Sequence, residues 1–99
     1  VRKKLIVACG SGVATSTMIA EKVKTLFEKD QIKCEVEAVD YKSILSELKG
    51  ADIYLYIAQP DQEVLQEAKN LNILVLPGVP FLTGMGVTEV YERIVAEVN

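Results

Sequence analysis

Leu5-Ile6-Val7-Ala8-Cys9-Gly10-Ser11-Gly12-Val13-Ala14-Thr15-Ser16 passes from an apolar run of strand length, through a glycine-bearing turn, into a pattern of helical period. Residues 5–8 are apolar without interruption, as in a strand covered on both faces. From 16 to 30 the apolar residues Ile19, Val23, Leu26 and Phe27 fall at i, i+4, i+7 and i+8, the spacing of one helical face. A buried strand followed by a helix is the first half of a strand-helix-strand unit. Most of the remaining chain repeats that alternation.

Residues 33–39 alternate strictly, with Cys34, Val36 and Ala38 on one side and Lys33, Glu35 and Glu37 on the other. This is the pattern of a half-covered strand near a sheet edge. Asp40 is placed to cap a short helix carrying Ile44, Leu45 and Leu48, with Gly50 in the position of a left-handed C-cap. Residues 53–58 are rich in β-favouring Ile and Tyr. Pro60-Asp61 opens a helix bearing Val64, Leu65, Ala68 and Leu71, and 73–76 is a short buried strand. A turn-rich stretch follows over 77–84. The last helix has the cleanest stripe, with Val87, Val90, Tyr91, Ile94, Val95 and Val98 on one face.

Four strands alternating with four helices imply an α/β fold, a small parallel sheet with helices on both faces. The polar second strand belongs at an edge, which gives the order 2-1-3-4 of a flavodoxin-like, phosphatase-like Rossmannoid sheet. Ligands of such sheets sit beyond the carboxyl ends of the strands, where the order reverses, here between strands 1 and 3. The loops of interest are therefore 9–16, 59–61 and 77–86.

Composition removes whole classes of chemistry. Ninety-nine residues, 49% hydrophobic and 25% charged, make one ordinary globular domain over 1–99. The net charge of −3 argues against a nucleic-acid binder. No histidine occurs, which excludes Ser-His-Asp hydrolysis, Cys-His proteolysis, histidine-ligated metals and a phosphohistidine on this chain. Two cysteines alone build no structural zinc site. No apolar run approaches the ~18 residues of a membrane span, and the start of the chain lacks the pattern of a signal peptide. The expected location is the cytoplasm, with reduced cysteines. Val1 in place of Met reads as a trimmed start.

The chemistry lies at Cys9. Gly10 and Gly12 permit a tight turn that points backbone N–H groups at one spot, and the dipole of the following helix adds positive potential. Ser11, Thr15 and Ser16 add hydroxyl donors. A thiol at the mouth of such a cradle has a lowered pKa and is nucleophilic. Residue types alone leave open that Cys9 is a core residue closing a strand and that Gly-Ser-Gly is only a turn. The spacing matches that of low-molecular-weight tyrosine phosphatases, cysteine, five residues, then arginine and Ser or Thr, except that Thr15-Ser16 stand where arginine would begin. Without that bidentate clamp the loop is suited to hold a phosphoryl group on sulfur without hydrolysing it quickly. Asp61 is positioned like a phosphatase acid but reads more simply as a helix N-cap.

Ile6-Val7-Ala8-Cys9-Gly10 with Val13-Ala14-Thr15-Ser16-Thr17-Met18 closely resembles the start of the galactitol-type IIB component of the bacterial phosphoenolpyruvate-dependent sugar phosphotransferase system. Pro80-Phe81-Leu82-Thr83-Gly84-Met85-Gly86 resembles that family's segment before its final helix. The resemblance implies a phosphocysteine at Cys9, a phosphate cradle made by Gly10, Ser11, Gly12, Val13, Ala14, Thr15 and Ser16, and no cofactor or metal. It also implies a IIA phosphohistidine protein as donor, and a membrane-embedded IIC permease that presents a polyol or sugar, galactitol by the family's label. Peripheral contact with the membrane would then run through IIC. Val13, Val79 and Leu82 would make the rim apolar enough to dock protein partners.

Two other readings stand beside this one. In the first, a regulatory domain binds an anion or phosphorylated ligand in the same loop, with Cys9 incidental. In the second, the chain is a phosphatase or arsenate-reductase-like enzyme, against which the missing arginine counts. Cys34 opens the second strand while Cys9 ends the first, on the order of 15 Å apart at ~3.3 Å per residue. A disulfide needs Cα atoms within about 7 Å, so Cys34 is expected to be filler. Tyr54 and Tyr56 share a strand face and are expected to pack. Met18 and Met85 are expected to fill gaps. Gly84-Met85-Gly86 lacks the full dinucleotide-loop pattern and is expected to let the last helix start close to the active loop.

Overall fold

The computed structural model describes residues 3–9, 14–57 and 60–98, with side chains throughout except at positions 9 and 14–16. Four parallel strands, β1 (Lys3–Cys9), β2 (Cys34–Asp40), β3 (Ile53–Tyr56) and β4 (Leu74–Pro77), form a sheet in the order β2-β1-β3-β4. The expected α/β architecture and strand order are both observed. β1 is central, pairing Lys3 to Cys9 with Cys34 to Asp40 on one side and Leu5 to Ala8 with Ile53 to Tyr56 on the other. Its unbroken apolar run follows from that position, since Leu5, Ile6 and Val7 are wholly buried. β2 lies at an edge, where its alternation of charged and apolar residues is tolerated.

Helices cover both faces. Leu5, Val7, Val36, Ile53, Leu55 and Leu76 pack against α1 (Ala14–Lys29) through Ile19, Val23 and Phe27, and against α5 (Val87–Val98) through Val90 and Ile94. Ile6, Ala8, Val39 and Tyr54 face the opposite layer. That layer is built from Ile44 of the short α2 (Ile44–Glu47), from Leu48, and from Val64 and Ala68 of α3 (Gln62–Asn70). Tyr54 is fully buried there, and burial raises the pKa of its phenol. Tyr56 packs against the same layer, so the expectation for both tyrosines holds.

Several local details depart from the sequence reading. α1 begins at Ala14, two residues early, so Ala14, Thr15 and Ser16 are its first residues. Residues 77–84 are not only turns: Pro80–Thr83 forms one helical turn, α4, with Pro80 at its start, where proline's fixed φ and missing N–H cost nothing. Leu45 and Leu71 are exposed, Leu45 because the four-residue α2 buries only one narrow stripe and Leu71 because it lies past the end of α3, at its C-cap. Gly50 is not a left-handed cap. Its segment closes in a 3-10 turn, with the Ala51 N–H donating to the Leu48 carbonyl at 3.1 Å. A left-handed glycine caps α4 instead, at Gly84 (φ 82°), while α1 and α3 are followed by left-handed non-glycines, Gln31 (φ 57°) and Asn72 (φ 60°). After Gln31 and Asn72 the next N–H reaches back five residues, Ile32 to Phe27 and Ile73 to Ala68, both at 2.8 Å.

Candidate functional site

All four strands run the same way, so Cys9, Asp40, Tyr56 and Pro77 end at one edge of the molecule. β1 ends at Cys9 and α1 starts at Ala14, with positions 10–13 between them. Gly10, Ser11, Gly12 and Val13 lie outside the described residues, as do Ala58 and Gln59. Cys9 is placed by its backbone, level with Asp40 of β2. The first four N–H groups of any helix have no partner within it. Of the three helices of nine residues or more, α1 has no acid in its first turn, whereas α3 and α5 carry Glu63 and Glu89. The positive end of the α1 dipole thus meets no acid of its own first turn, and it lies on the side of the sheet where Cys9 ends β1.

Two supports surround this strand-to-helix turn. Asp40 accepts the Lys42 N–H at 3.0 Å, so its carboxylate caps the 3-10 turn Tyr41–Ser43, as the sequence suggested. Tyr41, next along, accepts the Asp61 N–H on its hydroxyl at 2.8 Å, which ties the end of β2 to the start of α3. Asp61 occupies the N-cap position in extended conformation, but its side chain makes no capping bond, so the N-cap reading holds for its place and not for its carboxylate.

On the other side, the Gly78 N–H donates to the Tyr56 carbonyl at 2.7 Å. A Cβ at Gly78 would lie 3.4 Å from the Ile19 methyl of α1 and from the Tyr56 carbonyl. Glycine here allows α1 to sit close over the ends of β3 and β4. The loop after β4 and the first turns of α1 are thereby packed together. Val79 is exposed and Leu82 half-buried, while Val13 lies outside the described residues. Met18 and Met85 are exposed and fill no gap, contrary to expectation.

Cys34 is at the opposite end of the ladder, level with Lys3. Its thiol is half-buried against the α1 layer, and burial pushes its pKa up to about 11. It is a neutral filler at physiological pH, as expected. Among the described residues no cluster of three metal-binding side chains occurs, and no helix is long and apolar enough to cross a membrane.

Residues 4–93 match the family described as PTS system, lactose/cellobiose specific IIB subunit. The chain is 31% identical to the PTS system galactitol-specific EIIB component of Escherichia coli K12, over 94% of this chain and 93% of that protein. Its fold is similar to that of the lactose-specific IIB component domain of the phosphoenolpyruvate:carbohydrate phosphotransferase system from Streptococcus pneumoniae. That likeness has a TM-score of 0.73 at 16% identity and covers 98% and 97% of the two chains. It is also similar to the Enzyme IIB subunit of a PTS system from Escherichia coli K12, with a TM-score of 0.54 at 17% identity and full coverage of both.

Proposed function

The chain belongs to the lactose/cellobiose-specific PTS IIB family, and we propose that within it Cys9 accepts a phosphoryl group from a IIA phosphohistidine and passes it to a polyol, galactitol, held by a IIC permease. The family is one of phosphotransferase components that relay a phosphoryl group through cysteine. The observation that carries the assignment of Cys9 is its place at the end of the central strand, with four residues between it and a helix whose first turn has no acid. The galactitol reading is supported by the 31% identity to a galactitol-specific component over nearly the whole chain.

In the first step the Cys9 thiolate attacks phosphorus. The S–P bond forms, and the P–N bond breaks with its electron pair leaving on the imidazole. The backbone N–H groups of Gly10, Ser11, Gly12, Val13 and Ala14, with the hydroxyls of Ser11, Thr15 and Ser16, hold the three phosphoryl oxygens. In the second step the polyol hydroxyl attacks phosphorus, the S–P bond breaks, the thiolate is regenerated and the hydroxyl proton is released. No arginine stands in the loop to activate attack by water, so the phosphocysteine persists between partners. This domain works in the cytoplasm and reaches the membrane through IIC.

Incubation with a phosphoenolpyruvate-driven relay containing the matching IIA tests this. Intact mass and peptide mapping are expected to find one phosphoryl group on Cys9. A folded protein that stays unmodified while a control IIB is phosphorylated would instead make the loop a binding site for an anionic ligand.

A further inference from the structure

Transfer out of Cys9 needs a group that transfer into it does not. When the Cys9 thiolate displaces imidazole, the attacking atom carries no proton. When a polyol hydroxyl displaces the thiolate, the O–P bond forms, the S–P bond breaks, and the hydroxyl proton has to go to a base. The chain has no histidine to take it. Ligands of this sheet sit between the ends of β1 and β3, so the residues that follow these two strands are the ones within range. Gly10, Ser11, Gly12 and Val13 lie between β1 and α1. Ile57, Ala58, Gln59, Pro60 and Asp61 lie between β3 and α3. Asp61 is the one acidic or basic side chain in the two segments.

The fold fixes the backbone of Asp61 without spending its carboxylate on the helix. The Asp61 N–H donates to the Tyr41 hydroxyl at 2.8 Å. Tyr41 follows Asp40, which is level with Cys9, and it packs against the layer that contains Ala8 and Tyr54. Because β1 lies between β2 and β3, a bond from the end of β2 to the segment after β3 spans the end of the strand that carries Cys9. Asp61 stands at the N-cap of α3 in extended conformation, exposed, and its carboxylate makes no capping bond. Three other acids near this end are placed elsewhere. The Asp40 carboxylate accepts the Lys42 N–H. Glu63 borders the groove between α2 and α3, with Lys49 and Glu67. Glu89 belongs to α5, which comes after β4 and α4.

We propose that Asp61 is the general base for transfer out of Cys9, its carboxylate accepting the proton of the polyol hydroxyl as that oxygen attacks the phosphocysteine. The inference rests on the reading of Cys9 as phosphoryl carrier. One proton moves from the hydroxyl to the carboxylate, which then releases it to water. The S–P electron pair returns to sulfur as the Cys9 thiolate. Tyr41 holds the Asp61 backbone beside the end of β1 while this happens.

Measuring the two transfers apart tests this. Wild type, Asp61→Asn and Glu63→Gln are phosphorylated by the phosphoenolpyruvate-driven relay with the matching IIA. Each phosphoprotein is then mixed, in a single turnover, with membranes bearing the galactitol-type IIC and saturating galactitol. Asparagine caps a helix as well as aspartate does, and thermal melts check that each variant is folded. Asp61→Asn is expected to slow transfer to galactitol about a hundredfold or more, while its phosphorylation stays within about twofold of the wild-type rate. Glu63→Gln removes a charge two residues away and is expected to keep both rates within about twofold, which separates proton transfer from loss of charge. If wild type takes no phosphoryl group from an active relay, the carrier reading fails and this inference with it. If wild type is phosphorylated and Asp61→Asn still transfers to galactitol at the wild-type rate, the base alone is overturned. Equal slowing of both transfers in Asp61→Asn, or the same slowing in Glu63→Gln, would overturn it too.

Discussion

The two ends of the sheet carry one cysteine each and are built in opposite ways. At the amino end, Cys34 stands beside Lys3, and the chain is closed by hydrogen bonds. Asp52 accepts the Lys4 N–H on its carboxylate at 3.0 Å while its own N–H donates to the Lys4 carbonyl at 2.8 Å. Lys4 also pairs with Glu37 at 2.9 Å, and the caps after α1 and α3 return their carbonyls to the backbone. At the carboxyl end, Cys9 stands beside Asp40, helices begin rather than finish, and apolar side chains are left in solvent. The amino end satisfies its polar groups internally. The carboxyl end collects the helix N-termini, whose first N–H groups have no partner within their own helix. Topology alone produces this division, because every helix of a parallel sheet starts at the carboxyl side.

The largest expected contrast is between the cysteines. Cys9→Ser is expected to abolish stable phosphoryl acceptance in the relay assay, while Cys34→Ser leaves the transfer rate within about twofold. Loss of transfer in Cys34→Ser with Cys9 intact would break the comparison.

Gly78→Val comes next. Its branched side chain would press on Ile19 and the Tyr56 carbonyl, and a cost of about 2–3 kcal/mol in denaturant unfolding is expected, with slower transfer, because α1 and the loop after β4 are pushed apart. Asp52→Ala at the other end is expected to cost about 1–2 kcal/mol through the orphaned Lys4 N–H, with transfer unchanged in the folded protein. Activity lost in both, or in neither, would erase the division of labour.

The smallest effect is alkaline. Burial raises the Cys34 thiol from 9.0 to about 11 in the folded chain. The unfolded chain therefore releases this proton first, so its contribution is intact below pH 9 and is lost as pH rises toward 11. Cys34→Ala is expected to flatten that limb of the stability curve. The buried Tyr54 and the Tyr91 phenol, which donates to Asp30 at 2.6 Å, add the same sign at higher pH in both proteins. An unchanged slope between pH 9 and 11 would mean that Cys34 is solvated.

Much of this division is legible in the sequence. The unbroken apolar run at 5–8 and the alternation at 33–39 suffice to put β1 in the middle and β2 at the edge, because burial on two faces or one leaves different periods. Cys9, as the residue that ends the central strand, follows from the same run. The caps are less legible. A left-handed residue is signalled by glycine, yet Gln31 and Asn72 take that conformation and Gly50 does not, because the backbone hydrogen bonds of each helix end decide it. The exposed Met18 and Met85 escape a reading by residue type, since methionine is ordinarily interior. The glycines flanking Met85 carried the signal, as two left-handed turns around one apolar residue leave it nowhere to pack.

The central claim is that phosphoryl chemistry belongs to one end of the sheet, and amide chemical shifts test it most directly. Proton–nitrogen spectra of the protein before and after phosphorylation by the relay are predicted to differ at residues 9–17 and, more weakly, at 77–86, with the amides of residues 31–36, 52 and 72–74 unmoved. Shifts centred on Cys34, or spread equally over both ends, would contradict it.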